Sequence, residues 1–418
     1  MKNRLQLVFV VGLVMALSAG AEMLDRPSGI KIGDRMTLRP SVSTSLTYDS
    51  NVNPNNDEEK NGDMIWTISP TLSLAYDAET WSLLLSAFYN YRQNFESSHQ
   101  YENRHNFGED LRWNWSSDSG AGASKGWSIM LGESYQQITM ADDLTTDNGQ
   151  RYGGDSRQFQ LAGAIQRRFN QYWHADVNAG FNWLDYDQDE NSSDSLFGWS
   201  RTQVGAEAGF APSPWTDIIL SGSYSYYNQD NAEGTYMYRD LDNSSQGFSL
   251  QAGLGSFMTE RISYRLLAGW SRFEYAGGEN TNNGFVYTAS GNWKIGETWN
   301  TMLLASSYYQ PSERMRASSS RVDAFSWGIA KSMVRGKLRA MLDLRYRHET
   351  NESTVDTGYD YDLDILTGRI GVNYLLCRYL SAYANAEYQK SLNDESENHG
   401  GAYDYDRWRL TVGLTLQY

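Results

Sequence analysis

From Thr37 to the last residue, apolar and polar positions alternate with a period of two, in segments of about ten to fourteen residues. The last segment does so without a break. Trp408, Leu410, Val412, Leu414, Leu416 and Tyr418 alternate with Arg407, Arg409, Thr411, Gly413, Thr415 and Gln417. The stretches Trp173 to Trp183 and Leu338 to Tyr346 carry the same pattern. Successive side chains of a strand point to opposite faces, so this periodicity predicts strands with one greasy and one wet side. Eighteen such segments follow one another, the first beginning near residue 38 and the last near 405. A soluble sandwich of two sheets alternates in the same way, so the pattern by itself leaves two architectures open.

The connections separate them. Long hydrophilic ones, such as "NVNPNNDEEKNGD" at 51–63, "ADDLTTDNGQRYGG" at 141–154 and "SLNDESENHGGAYD" at 391–404, take turns with tight ones. The tight ones include "DAE" at 77–79, "NQY" at 170–172, "IGE" at 295–297 and "RG" at 335–336. Long external loops and short periplasmic turns are the rhythm of an outer-membrane barrel, and a sandwich has no reason to keep it. One stretch, "SSDSGAGASKG" at 116–126, is long where a tight turn is due, and reads as a periplasmic excursion. The expected fold is all-β: one closed antiparallel transmembrane barrel of about 18 strands, with 16 or 20 as alternatives, and both termini periplasmic. Hydrocarbon leaves no backbone polar group unpaired, so strands can span it only as a closed sheet. The last strand must therefore pair with the one that begins near Thr37.

Three local readings follow. Glu109 and Glu133 fall on the apolar parity of their segments, and a β-bulge is expected to reset it. Rings near strand ends, among them Trp66, Trp81, Trp127, Trp199, Trp270 and Trp293, read as outward aromatic girdles, with a sugar-stacking platform as the alternative. The alternating end with its terminal aromatic resembles the signal read by the outer-membrane barrel assembly machinery. That makes Trp408, Leu410, Val412, Leu414, Leu416 and Tyr418 the candidate assembly signal.

The N-terminus sets the compartment. Lys2 and Arg4, an apolar stretch from Leu5 to about Leu17, and Ala19-Gly20-Ala21 read as a signal peptide over residues 1–21. A short periplasmic segment is expected at 22–36 and the barrel at 37–418. After residue 21 no apolar run approaches the roughly 20 residues of a membrane helix. The expected location is the outer membrane of a Gram-negative cell.

Charge and chemistry narrow the function. A formal net charge of −16 argues against nucleic acid, which asks for a basic face. The single cysteine, Cys377, excludes an intramolecular disulfide and is expected at a packed small-residue position. The five histidines, His99, His105, His174, His348 and His399, are scattered, and no GxSxG, HExxH or phosphate-binding loop occurs. The reading is therefore a protein that is not an enzyme, with no catalytic residues, no metal site and no cofactor. Loop acids such as Asp57, Glu58, Glu59, Asp142, Asp394 and Glu397 are expected to bridge cations to lipopolysaccharide rather than form calcium sites.

Eighteen strands enclose a lumen too wide for side chains to fill, so a channel is the default and the wet face of each strand is the candidate site. Its basic members are Arg339, Arg345, Arg347, Arg369, Arg407 and Arg409, with the acids Asp343 and Glu387 on the same wall. Guanidinium groups on a pore wall would favour anions. The alternative is that they neutralise neighbouring acids.

The first segment, "LRPSVSTSLTYDSNV" at 38–52, with its proline and then Tyr48-Asp49-Ser50-Asn51 at the rim, resembles the opening of the putative beta-barrel porin 2 family. Length, strand count and terminal aromatic are similar to that family as well. The resemblance implies an outer-membrane barrel associated with exopolysaccharide secretion, with polysaccharide and periplasmic export proteins as partners. The function expected is passage of exopolysaccharide. A general or anion-selective diffusion porin for small polar solutes, or a non-conducting receptor or adhesin barrel, stands as the alternative.

Overall fold

The computed structural model describes residues 29–51, 62–95, 103–117, 126–138, 155–187, 199–213, 215–229, 244–256, 261–275, 281–311, 319–352, 361–393 and 405–418. The stretch expected to be a signal peptide, 1–21, and most of the acidic loop residues lie outside these. Every alternating segment becomes a strand. After the short β1 (Ile30–Ile32) come β2 (Met36–Asp49), β3 (Asp63–Asp77), β4 (Trp81–Asn94), β5 (Asn103–Ser116) and β6 (Gly126–Ile138). Then follow β7 (Asp155–Arg168), β8 (Trp173–Asp187), β9 (Trp199–Ser213), β10 (Thr216–Gln229), β11 (Ser245–Gly255), β12 (Ile262–Tyr275) and β13 (Thr281–Ile295). The chain finishes with β14 (Trp299–Pro311), β15 (Ser319–Met333), β16 (Leu338–Glu352), β17 (Tyr361–Leu375), β18 (Leu380–Asn393) and β19 (Tyr405–Gln417).

Strands β2 to β19 pair each with the next, all antiparallel, and β19 returns to β2, so the sheet is a closed barrel of 18 strands. Closure removes both sheet edges, which is what a strand needs in lipid. The small β1 lies outside this cycle and pairs with the start of β2. One rim carries the first residues of β2 and the last of β19, and is called here the terminal rim. The opposite one is the loop rim.

Period two fixes which side chains meet lipid. Trp408, Leu410, Val412, Leu414, Leu416 and Tyr418 are 44–57% exposed on the outside, as are Leu250, Trp270 and Phe285 in one row across β11, β12 and β13. Rings gather at both ends of this apolar band. At the terminal rim Tyr76 stacks on Trp81, and Arg167 and Lys331 lie 4.4 and 4.3 Å above Trp127 and Trp299. At the loop rim Trp66 meets Tyr91, and Tyr388 meets Trp408. A ring there keeps its body in lipid and its polar edge in the headgroups.

Tight turns close the terminal rim by local chemistry. Asn170 Oδ1 accepts the backbone N–H groups of Tyr172 and Trp173 at 2.8 and 2.9 Å, a side-chain mimic of a backbone turn. Between β15 and β16, Val334 and Arg335 adopt φ of 53° and 54°, and Gly336 N–H donates to Met333 O at 3.0 Å. With Gly336 at φ 83° as well, three left-handed residues carry the chain round a four-residue connection, Met333 standing opposite Leu338, in a conformation that Val and Arg enter reluctantly. Further in, a Cβ on Gly269 would meet the Leu250 carbonyl oxygen of the neighbouring strand, so β11 and β12 approach more closely there than a side chain allows.

Two expectations are corrected. The bulge expected near Glu109 and Glu133 is absent, because β4, β5, β6 and β7 pair in constant register. Both acids therefore stay on the outward parity, Glu133 opposite Leu111 and Leu161. A register shift occurs instead between Thr216 and Ile218, where β10 leaves its turn from β9. Cys377 is exposed rather than packed, since it falls in the turn between β17 and β18 and not on a strand face.

Candidate functional site

Every second residue of each strand faces the interior. On β16 to β19 and β2 the inward set brings opposite charges into one row, because directly opposed residues of antiparallel strands share a face. Asp343 stands across from Arg369, Arg369 from Glu387, Glu387 from Arg409, and Arg409 from Asp49. Asp63 of β3 follows Asp49. Along the same wall Arg345 Nε donates to Asp343 at 2.6 Å and Arg347 to Glu349 at 2.7 Å. Arg339, nearer the terminal rim, stands opposite Asn373 and Ser332.

The row is tightest where the barrel closes. Asp49 is 1% and Arg407 4% exposed, and Arg407 Nε donates to both carboxylate oxygens of Asp49 at 2.8 and 3.0 Å. Arg409 Nε lies 3.3 Å from Asp49, and its other end reaches Glu387 at 3.4 Å. Asp49 Oδ1 also accepts the Asn51 backbone N–H, and Asn51 Nδ2 reaches the Asp406 carbonyl. Ser50 N–H donates to Trp408 O while Ser50 Oγ accepts from Trp408 N–H. The "YDSN" stretch is thus the clasp between the first and last strands at the loop rim. At the other end of the seam, Tyr418 N–H donates to Pro40 O and the Tyr418 ring stacks on Tyr379. A cavity of about 380 Å³ opens on this wall, lined by Arg369, Glu387, Arg407 and Arg409 among others.

Guanidinium groups and carboxylates alternate along this wall, so the field that reaches the lumen from it is small beyond a few ångströms. The opposite wall differs in kind. From β7 round to β14 a cavity of about 350 Å³ is lined by amides and hydroxyls, such as Gln160, Asn182, Gln203, Ser223 and Ser225, together with aromatic rings and one charged residue, Arg201.

Trp199 belongs to this wall and not to a girdle. It is 8% exposed and stacks on Tyr227 with centroids 5.4 Å apart. Its parity gave the signal: Trp199 keeps step with Arg201, Gln203 and Glu207, whereas Val204 on the other parity is 45% exposed. Position near a strand end concealed this. Arg201 was missed for a related reason, since it is the one arginine of its strand, whereas the candidate wall arginines stand close together near the C-terminus.

Elsewhere on the inner face, Arg265 pairs with Glu207, and His174 Nε2 lies 2.9 Å from Asp217 over Gly209. His348 Nδ1 lies 2.9 Å from Asp364 on the outward parity of β16. The His348–Asp364 pair adjoins a hydroxyl, with Thr350 Oγ1 3.2 Å from His348 Nε2, but Thr350 and His348 share the outward parity of β16, away from the lumen. Among the described residues no group of three or more His, Cys, Asp or Glu could hold a metal ion.

Among solved structures the chain is similar to the outer membrane protein opdK from Pseudomonas aeruginosa, with 13% identity, a TM-score of 0.44, and coverage of 91% of this chain and 99% of that one. It is similar to the ferric-catecholate import receptor Fiu from E. coli K12, with 9% identity, a TM-score of 0.44, and coverage of 93% and 82%. The siderophore receptor PirA from Acinetobacter baumannii matches with 9% identity, a TM-score of 0.47, and coverage of 93% and 81%. No curated protein matches the sequence significantly. The model of one family, described as Putative beta-barrel porin 2, matches residues 26–418. The chain belongs to that family, and is an outer-membrane β-barrel porin, a transport protein and not an enzyme.

Proposed function

We propose that this porin gives exopolysaccharide a path across the outer membrane. The observation that carries the reading is the division of the inner wall. One side is a surface of hydroxyls, amides and rings from β7 to β14 whose one charged lining residue is Arg201, and on the other side guanidinium groups and carboxylates stand in one alternating row. A hydroxyl-rich chain can exchange many weak hydrogen bonds with such a wall, and few strong ones hold it. An anion-selective porin would need an excess of positive charge where the arginines cluster. There Arg345, Arg347, Arg369, Arg407 and Arg409 share the wall with Asp49, Asp63, Asp343, Glu349 and Glu387, and Arg339 and Arg92 stand on it besides.

On this reading both termini lie in the periplasm and the loop rim faces outward, with acidic loops against lipopolysaccharide. Periplasmic export proteins dock at the terminal rim, and the assembly machinery reads the strand that ends at Tyr418. The test is secretion. Deleting the gene in its host should abolish surface polymer while leaving it in the periplasm, and the wild-type gene should restore export. Unchanged surface polymer, alongside a loss of small-solute uptake, would make the protein a general diffusion porin.

A further inference from the structure

Arg201 is the one charged side chain lining the cavity between β7 and β14. Among the described residues it has no ion-pair partner, and the titratable groups that act on it are the phenols of Tyr227 and Tyr308. The contrast with the other inward arginines is sharp. Arg265, on the same side of the barrel, is held by Glu207, and Glu207 is six residues from Arg201 along β9, roughly 20 Å of extended chain. Arg345, Arg347 and Arg407 each hold a carboxylate. An unpaired guanidinium in a partly buried place carries an uncompensated desolvation cost, which a bound anion would relieve.

Two further residues that line the same cavity carry donors without an acceptor. The indole N–H of Trp199 and the side-chain amide nitrogen of Gln310 are buried without a hydrogen-bond partner. Their residues are 8% and 5% exposed, and both line the cavity. Buried polar groups are nearly always satisfied, so unsatisfied donors beside an unpaired cation mark a site with a missing acceptor. The walls add flat apolar faces from Trp199, Tyr227 and Tyr308, and hydroxyls from Ser223, Ser225 and Ser306. A bare inorganic anion would use the cation and leave the rings idle. A sugar ring that bears a carboxylate uses both: the acid pairs with the guanidinium in a fork, the C–H face of the ring lies on the aromatics, and its hydroxyls meet the amides and serines. The volume of about 350 Å³ falls in the range of small-ligand sites, about 300–1,000 Å³.

We propose that Arg201, Trp199 and Gln310 form a binding site near the loop rim for a carboxylate-bearing sugar unit, which makes an acidic polysaccharide the substrate class of this porin. The site stands on its own geometry. Its assignment to a passing polymer rests on the conduit reading.

The experiment uses the full mature chain, purified in detergent, with hexagalacturonate as the acidic probe and maltohexaose as the neutral one, each titrated by calorimetry at low salt. Hexagalacturonate should bind the wild type about tenfold or more tightly than maltohexaose, the scale of one charge-assisted bidentate contact. Arg201→Gln should bring the two hexamers to the same affinity, while Arg201→Lys keeps part of the difference. Equal affinity for the two hexamers, or an Arg201→Gln protein that binds hexagalacturonate as the wild type does, would overturn the site. The comparison of hexamers on the wild type needs no variant, so it decides even if Arg201→Gln fails to fold. The same proteins in planar bilayers separate the two readings. A conducting channel blocked equally by both hexamers keeps the conduit and overturns the site. A folded protein that never conducts overturns the conduit, and the calorimetry still decides the site.

Discussion

Asp49 and Arg407 are among the best-buried charges in the described chain, at 1% and 4% exposure. Removing one partner of such a pair strands the other in a poor dielectric, which costs roughly 3–5 kcal/mol in typical buried pairs. Arg407→Leu should therefore lower the barrel's stability by about that much in a urea refolding titration into detergent or lipid. Arg345→Leu, where the partners are 29% and 16% exposed, should cost far less because solvent screens the pair. The inward parity of Arg407 was legible in the alternation of β19, and so was that of Asp343 and Glu387 on their own strands. The partnership was not. Asp49 lies 358 residues from Arg407 in sequence, and only the closing register of β19 on β2 brings them together. Trp199 shows the reverse: its parity was readable, but a ring at a strand end suggested a girdle. Cys377 was misplaced because a small residue on a strand would be packed, and this one sits in a turn.

At the level of elements, a period of two and the rhythm of connections were enough for strand order and closure. No residue on its own strand determines where a bulge falls. The register shift at Thr216 and Ile218 accompanies the tight turn from β9, whereas Glu109 and Glu133 keep their outward parity without any relief in the ladder. The seam is among the shortest pairings: β19 meets β2 over Ser41 to Asp49, nine positions, as many as β13 shares with β14, against fifteen between β15 and β16. Its ends are accordingly fastened, by the Tyr48-Asp49-Ser50-Asn51 clasp at one rim and by Tyr418 against Pro40 and Tyr379 at the other. Deleting Tyr418 should reduce the amount of folded protein recovered from outer membranes, scored by heat-modifiable mobility, while the molecules that do insert keep wild-type conductance. Normal recovery of the truncated chain would show that the terminal ring serves neither closure nor assembly.

The whole molecule separates net charge from pore charge. The chain carries −16 overall, yet the wall from β16 to β2 alternates acid with base, and the opposite wall is neutral apart from Arg201 around its cavity. Screening at physiological salt has a length near 8 Å, so a permeating ion in a wide lumen meets little net field. This balance was hidden in the sequence, where arginines cluster toward the C-terminus and their counter-charges are spread over β2, β3, β16 and β18. The most direct test of the account is the reversal potential of single channels under a tenfold potassium chloride gradient, with the full mature protein in a planar bilayer. A charge-balanced pore predicts stable conductance with cation and anion permeabilities within about a factor of three of each other, under the weak field that screening leaves. Folded, inserted protein that does not conduct, or a strong preference for chloride, would contradict it.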